Sequence, residues 1–213
     1  MYSYDLNMNL ANIQNKLADQ VIKEDDFKEL KSIAGVYASF SQDNWAVAAA
    51  VLINLKDLEI IETIIREVEL LFPYKPGFLG FREANAMVST LNDLTMDYDV
   101  VMVNGHGVLH PRGFGLASHV GLMIDKATLG VAKRLIVGSH IIEGKHIPEL
   151  IFFRNEILGV YLNGFYVSIG HKISLKTALK LVNNTSIFKT PEPIRQAHIL
   201  ATRAFKEILK ITI

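Results

Sequence analysis

The chain has 213 residues, half of them hydrophobic, so it can bury a full core and is expected to form one domain over residues 1–213. Its 22 basic and 22 acidic side chains cancel, which argues against tight nonspecific binding of a polyanion. The absence of cysteine excludes disulfides, thiolate metal sites and cysteine nucleophiles. No apolar segment is long enough to span a bilayer and the N-terminus lacks a signal sequence. We therefore expect a cytoplasmic protein that does not contact membranes.

The first part of the chain predicts one helix followed by three strands. Residues 7–22 place apolar side chains at helical spacing. Residues 33–40 and 45–55 are typical of two antiparallel strands joined by a tight turn. Residues 58–70 fit either a helix or a strand by periodicity, but their β-branched side chains and the preceding hairpin favour a third strand.

Helices and strands alternate in the remainder of the chain. Residues 149–169 predict a hairpin that turns near Asn155 or Gly164, and Ser174 is a plausible N-cap. A three-strand meander followed by alternating helices and strands predicts an α/β fold, with a mixed sheet and helices on its faces. The other expected elements are helix 78–94, strand 99–104, helix 115–125, strand 127–133, helix 174–186 and helix 191–209.

Three unusual blocks lie close together in the middle of the sequence. They are FPYKPGFLGFRE (72–83), VNGHGVLHPRGFGLASH (103–119) and GVAKR (130–134). Together they resemble endonuclease V, a family of metal-dependent nucleases that cut nucleic acid near inosine, the product of adenine deamination. The resemblance extends over nearly the whole chain and implies a ribonuclease H-like fold. It also implies a nucleic-acid substrate, DNA or RNA, containing inosine.

The resemblance implies a Mg²⁺ site, with Mn²⁺ as a possible substitute, that is held by three carboxylates. Glu83 matches one of them, although an acidic residue near a helix start can also simply favour the helix N-terminus. Tyr37 and Asn104 stand where the family has its two aspartates. Asn104 offers a neutral carbonyl oxygen, and the Tyr37 phenol is protonated near neutral pH. We therefore expect weak or absent metal binding, impaired cleavage and a Tyr37 hydroxyl close to Glu83.

Three further polar residues match family positions near the reacting phosphate or the metal. His110 lies in the GHGVLHPR segment, Lys133 in GVAK and His198 in the last predicted helix. Each alone would more often be a surface or capping residue. Because all three match in the same order, the resemblance implies that they act with Glu83 as catalytic residues.

The resemblance also implies a set of contacts with the nucleic acid. Prolines on both sides of Tyr74 and Lys75 fix the backbone, so the tyrosine could be inserted or stacked at a lesion. The alternative is a stiff loop that covers the edge of the sheet. Glycines could allow close approach of an extruded base, or could merely form a tight turn. The implied contact residues are Pro73, Tyr74, Lys75, Pro76, Leu79, Gly105, Gly107 and Gly115.

Three functions remain open from the sequence. The first is a working Mg²⁺-dependent endonuclease that cuts on the 3′ side of inosine. The second is a catalytically inactive relative that still binds deaminated or branched nucleic acid. The third keeps the fold alone and uses its surface for a protein partner. In each case we expect a monomer.

Overall fold

The computed structural model describes residues 2–141 and 148–211. Within those ranges the chain forms five helices and nine strands. The helices are α1 (Tyr2–Ala18), α2 (Leu79–Asn92), α3 (Leu116–Ile124), α4 (Leu175–Thr185) and α5 (Glu192–Ile211). The strands are β1 (Ser32–Phe40), β2 (Trp45–Asn54), β3 (Ile60–Glu69), β4 (Val100–Asn104), β5 (Ala127–Ala132), β6 (Ser139–Ile141), β7 (Glu149–Phe153), β8 (Glu156–Leu162) and β9 (Phe165–His171).

All nine strands belong to one mixed sheet, in the order β3-β2-β1-β4-β5-β9-β8-β7-β6. The first three strands form the expected antiparallel meander. The central strands β1, β4 and β5 run parallel to one another, and β9 returns antiparallel to β5. Because parallel strands end on the same edge of a sheet, residues that follow β1, β4 and β5 are brought together.

Helices cover both faces of this sheet, as the sequence predicts. One buried cluster joins the strands to α2 and α3 through side chains such as Met87 and Val120. A second cluster joins the opposite face to α4 and α5 through Leu181 and Ile194. Of the helices in the described ranges, none is long and apolar enough to cross a membrane.

The predicted helix 7–22 is wrong in its bounds, since α1 spans Tyr2–Ala18. The apolar periodicity included Val21, but Val21 follows the helix and packs against the α4 and α5 side of the core. The neighbouring Ile22 carbonyl accepts a hydrogen bond from the Lys172 backbone, at 2.7 Å. The chain after α1 is therefore held by the end of β9, and this long-range contact ends the helix.

The predicted hairpin at 149–169 is wrong in its number of strands. The segment forms β7, β8 and β9, and it turns at both candidate positions. Asn155 and Gly164 each adopt a positive φ, of 62° and 88°, as tight hairpin turns require. Strand β6 was missed because three residues carry too little pattern to predict a strand. Residues 58–70 are indeed a strand, and the Ser174 side chain caps α4 by accepting from the Thr177 backbone at 3.1 Å.

Helix α5 lies against β1 at a position where only glycine fits. A Cβ atom added to Gly35 would lie 2.1 Å from the carbonyl oxygen of Pro193. We expect Gly35→Ala to lower the free energy of unfolding by roughly 1–3 kcal/mol, because the helix must move away from the sheet. Urea unfolding would measure this loss. An unchanged midpoint would contradict the close seating of α5 on which the position of His198 depends.

Candidate functional site

A cavity of about 730 Å³ opens at the sheet edge where β1, β4 and β5 end. Its walls come from β1, the loop before α2, the loop between β4 and α3, the end of β5 and α5. Eleven of the residues singled out in the sequence line it: Tyr37, Tyr74, Lys75, Pro76, Leu79, Asn104, Gly105, His110, Gly115, Lys133 and His198. The structure therefore brings segments more than 150 residues apart in sequence into one site.

Three candidate residues do not belong to the cavity wall: Pro73, Glu83 and Gly107. Gly107 packs against β9, where an added Cβ would lie 1.8 Å from the carbonyl oxygen of Ile169. Its backbone N–H also donates to the Ser168 hydroxyl at 3.0 Å. A larger side chain at position 107 would therefore clash with β9, so close packing of the β4–α3 loop on the sheet accounts for the glycine.

Glu83 is buried on α2, with 8% of its surface exposed. Burial raises the pKa of its carboxyl to about 8, and the charge of Arg82 only partly opposes this. The Arg82 guanidinium instead donates to the Phe72 carbonyl oxygen at 2.7 Å. The Glu83 side chain is therefore mostly a neutral acid at pH 7.

Tyr37 lies in β1, directly after the stretch that pairs with β4, and it packs beside the last helix. Its ring meets the His198 ring edge-on, with 4.7 Å between the centroids. Burial and the nearby charge of Glu83 raise the pKa of the Tyr37 hydroxyl, although a hydrogen bond with Ser39 opposes the shift. The phenol therefore stays protonated. Its electrostatic interaction with Glu83 agrees with the expected proximity of the two groups, while the hydroxyl's hydrogen-bond partner is Ser39.

The histidines of the site differ from Lys133 in charge. Burial, together with the charges of Arg112 and His106, lowers the pKa of His110 to about 4. Burial and the neighbouring Lys133 also lower the pKa of His198. Both imidazoles are therefore neutral at pH 7. The His110 ring already bonds within the protein, since its Nδ1 accepts from the Arg112 backbone N–H at 3.3 Å and the ring also has a hydrogen bond with the Gly77 backbone. Lys133 is exposed directly after β5 and, with Arg134, supplies positive charge on this side of the cavity.

Two residues that the sequence did not indicate hold the loop containing Tyr74. Gln14 of α1 is fully buried and donates to the carbonyl oxygens of Gly77 and Phe114, each at 3.2 Å. Arg112 donates to Gln14 and to Gly77, and its guanidinium lies 4.5 Å from the centre of the Phe78 ring. A glutamine in an amphipathic helix carries no local signal of this role, whereas Arg112 directly follows His110 and Pro111 in a motif already selected.

The anchored loop presents Tyr74 outward. Its side chain is 65% exposed at the mouth of the cavity. Lys75 donates to the Asn7 side chain of α1 at 2.8 Å. The loop is thus fixed at both Lys75 and Gly77, while the tyrosine between the prolines remains free to contact a ligand.

The groups at the expected metal position do not fit a hard divalent cation. Mg²⁺ prefers several charged oxygen ligands, but this site offers a single carboxyl, one amide and one phenol. Throughout residues 2–141 and 148–211, no three His, Cys, Asp or Glu side chains form a group that could hold a metal. The donor set therefore disagrees with that of a three-carboxylate centre.

The fold and the cavity define a ribonuclease H-like α/β protein with a candidate site at the ends of its central strands. Residues 15–199 match the family model of endonuclease V. Endonuclease V of Dictyoglomus thermophilum is 36% identical over 207 residues, which cover 93% of this chain and 90% of that protein. The chain belongs to the endonuclease V family, whose members are metal-dependent nucleases.

Solved structures agree with this assignment. Endonuclease V of Streptomyces avermitilis superimposes with a TM-score of 0.86 at 28% identity, covering 95% of this chain and 94% of that one. Endonuclease V of Ciona intestinalis gives 0.85 at 27% identity, covering 96% and 99%. Both comparisons extend over the ribonuclease H-like sheet and the elements that build the cavity.

The buried acid of Glu83 predicts a pH-dependent stability. The folded chain holds this proton up to about pH 8, whereas the unfolded chain loses it near the ordinary pKa of 4.5. Stability should therefore fall as the pH rises between these values, by roughly 2–5 kcal/mol from this group. We expect Glu83→Gln, which is neutral throughout, to gain stability over the wild type as the pH rises from 5 to 8.5.

Urea unfolding in the presence of a chelator measures this difference. Glu67→Gln, at an exposed position of β3, is the matched control and should give a difference from the wild type that does not change with pH. If the free energy of unfolding of Glu83→Gln differed from that of the wild type by the same amount at every pH, the Glu83 carboxyl would not be held in its neutral form.

Proposed function

We propose that the protein binds nucleic acid containing inosine and that its metal-dependent cleavage is impaired. One observation carries the proposal: a single cavity brings most of the expected base and phosphate contacts together with Tyr37 and Asn104, which are uncharged at the expected metal position. Recognition and cleavage need different groups, so one can persist where the other is weakened.

Family membership supports the choice of ligand. The Ciona intestinalis relative was crystallised with a 24mer DNA that contains an inosine followed by a ribo-adenosine. The cavity described above has the volume of a typical small-ligand site. Glycine at positions 105 and 115 and the side chain of Leu79 form part of its wall. We propose that an extruded hypoxanthine base enters here, with DNA and RNA both remaining possible carriers.

The cationic and neutral polar groups support a role in holding the phosphate. Lys133 supplies a charge, His198 supplies a neutral imidazole, and His110 lines the same cavity. We propose that these three residues contact the backbone next to the extruded base. Tyr74, held between Pro73 and Pro76, would occupy the space that the base leaves.

The impairment follows from charge. A divalent cation beside phosphate is stabilised by carboxylates that offset its charge. Tyr37 and Asn104 provide none, and Glu83 must first release a proton from a buried position. We therefore propose that Mg²⁺, or Mn²⁺ in its place, binds weakly or not at all. A chain that binds without cutting would act as a reader of deaminated bases.

Base recognition predicts a preference that depends on Tyr74. We expect an oligonucleotide with one inosine to bind more tightly than its adenine counterpart across a salt series. Tyr74→Ala should weaken inosine binding by roughly 1–3 kcal/mol, the usual contribution of one stacked base, and Tyr74→Phe should retain it. Fluorescence anisotropy measures both affinities.

The matched control for this experiment is Leu71→Ala. Leu71 is 83% exposed in the segment before the same loop and does not line the cavity. Its replacement should leave the inosine preference unchanged. Equal affinity of the wild type for inosine and adenine at every salt concentration would remove base recognition from the proposal.

Restoring the carboxylates tests the impairment. We expect Tyr37→Asp combined with Asn104→Asp to cleave inosine-containing strands in Mg²⁺, and each single variant to cleave far less, because one added charge does not complete the ligand set. Adding Glu83→Ala to the double variant should abolish the gain. Cleavage is measured on a labelled strand in Mg²⁺, Mn²⁺ or chelator. If the wild type cuts at a rate comparable to that of the double variant, Tyr37 and Asn104 are not the obstacle.

A further inference from the structure

Two tyrosines extend the cavity wall across the sheet. Ala132 of β5 lines the cavity and pairs directly with Tyr166 of β9, which in turn pairs with Tyr161 of β8. Side chains of directly paired residues project from the same face of a sheet. The two tyrosines therefore stand on the face to which Ala132 belongs, and His140 of β6 follows them. We call Tyr166, Tyr161 and His140 the aromatic row.

The rings of the aromatic row touch one another and approach the cavity. The Tyr166 and Tyr161 centroids are 4.8 Å apart, and His140 lies 5.5 Å from Tyr161 and 5.7 Å from Tyr166. At the other end, the His106 ring of the cavity wall lies 6.4 Å from Tyr166. All three rings of the row are partly exposed, so they are accessible to a ligand that leaves the cavity.

Hydrogen bonds fix the Tyr166 ring before any ligand arrives. His140 donates from Nδ1 to the Glu149 carboxylate at 2.5 Å, since an ionised carboxylate can only accept. In the neutral imidazole Nε2 is then an acceptor, and the Tyr166 hydroxyl lies 3.2 Å from it. A prearranged ring loses less conformational entropy on binding than a free one.

Positive charge lies at the end of the row nearest the cavity. Lys133 and Arg134 are exposed directly after β5, and the Arg134 carbonyl oxygen accepts from His106 Nε2 at 2.7 Å. The acidic side chain in contact with the row, Glu149, is already bound to His140. Aromatic rings beside cationic residues are the combination that binds single-stranded nucleic acid, with bases on the rings and phosphates on the cations.

We infer that the aromatic row binds unpaired nucleotides adjoining the base in the cavity, by stacking them on Tyr166 and Tyr161. The inference rests on the proposed function in that the ligand is nucleic acid. It adds a contact that does not depend on inosine, because every base offers a face to stack upon. Ala132 and His106 connect the row to the cavity. The row would therefore contact the nucleotides on one side of the inosine.

Oligonucleotides of different length test the inference with the full chain. A short inosine strand is compared with strands extended by unpaired thymidines on the 5′ side only or on the 3′ side only. We expect one extension to tighten wild-type binding at least about fivefold, which corresponds to roughly 1 kcal/mol of stacking. Tyr161→Ala and Tyr166→Ala should lose this gain. Tyr161→Phe should keep it, because the ring remains.

The control is Ile65→Ala, an exposed position on β3 at the opposite half of the sheet. It should leave the gain from the extension intact. Thermal unfolding verifies that each variant is folded; should Tyr166→Ala unfold, Tyr161→Ala alone decides. A wild type that gains nothing from either extension, or an Ala variant that keeps the full gain, would overturn the inference.

Adenine versions of the same strands separate this inference from the proposed function. In one outcome, the wild type shows no preference for inosine over adenine while the affinity gain from the extension disappears in the Ala variants. The proposed base recognition is then wrong, and stacking on the aromatic row is retained. If the preference for inosine persists and the extension tightens binding equally in the wild type and the Ala variants, the proposed stacking on the aromatic row is wrong. The proposed base recognition is then retained.

Discussion

The parallel pairing of β1, β4 and β5 decides where every candidate group lies. Val36 pairs with Val103, and Asn104 pairs with Val131, so the ends of the three strands lie side by side. The residues that follow these pairs, among them Tyr37, therefore meet at one edge of the sheet. Close packing of the β4–α3 loop on the sheet and of α5 on β1 then closes the cavity. Without this register, the same motifs would be separate loops.

The electrostatics of the site follow from the absence of carboxylates at Tyr37 and Asn104, where the central strands end. Burial raises the pKa of the Glu83 carboxyl to about 8, and the nearby charge of Arg82 does not cancel this shift. In a complete three-carboxylate centre, the metal would favour the ionised form. The chain instead has protonated Tyr37 and neutral Asn104 at the same place, so neither group adds a negative charge beside Glu83.

The sequence predicted the parts of the fold that depend on local pattern. The meander, the alternation of helices and strands from α2 to β5 and the Ser174 cap are confirmed. The end of α1 and the third strand within 149–169 were not predicted correctly, since both depend on contacts between distant segments. The site shows the same division. Motif residues lining the cavity were found from short blocks, whereas Gln14, which holds the Tyr74 loop across 63 residues, has no local signature.

The aromatic row illustrates why sheet register matters for function as well as for fold. Tyr161 and Tyr166 sit in a hairpin that looks unrelated to the motif blocks until Tyr166 is paired with Ala132. With Tyr74 at the cavity mouth, this arrangement offers a nucleic-acid strand contacts beyond the cavity itself. A site with Lys133 and with uncharged Tyr37 and Asn104 attracts phosphate directly. A three-carboxylate site repels phosphate until its metal neutralises it, so these two residues favour binding that needs no metal.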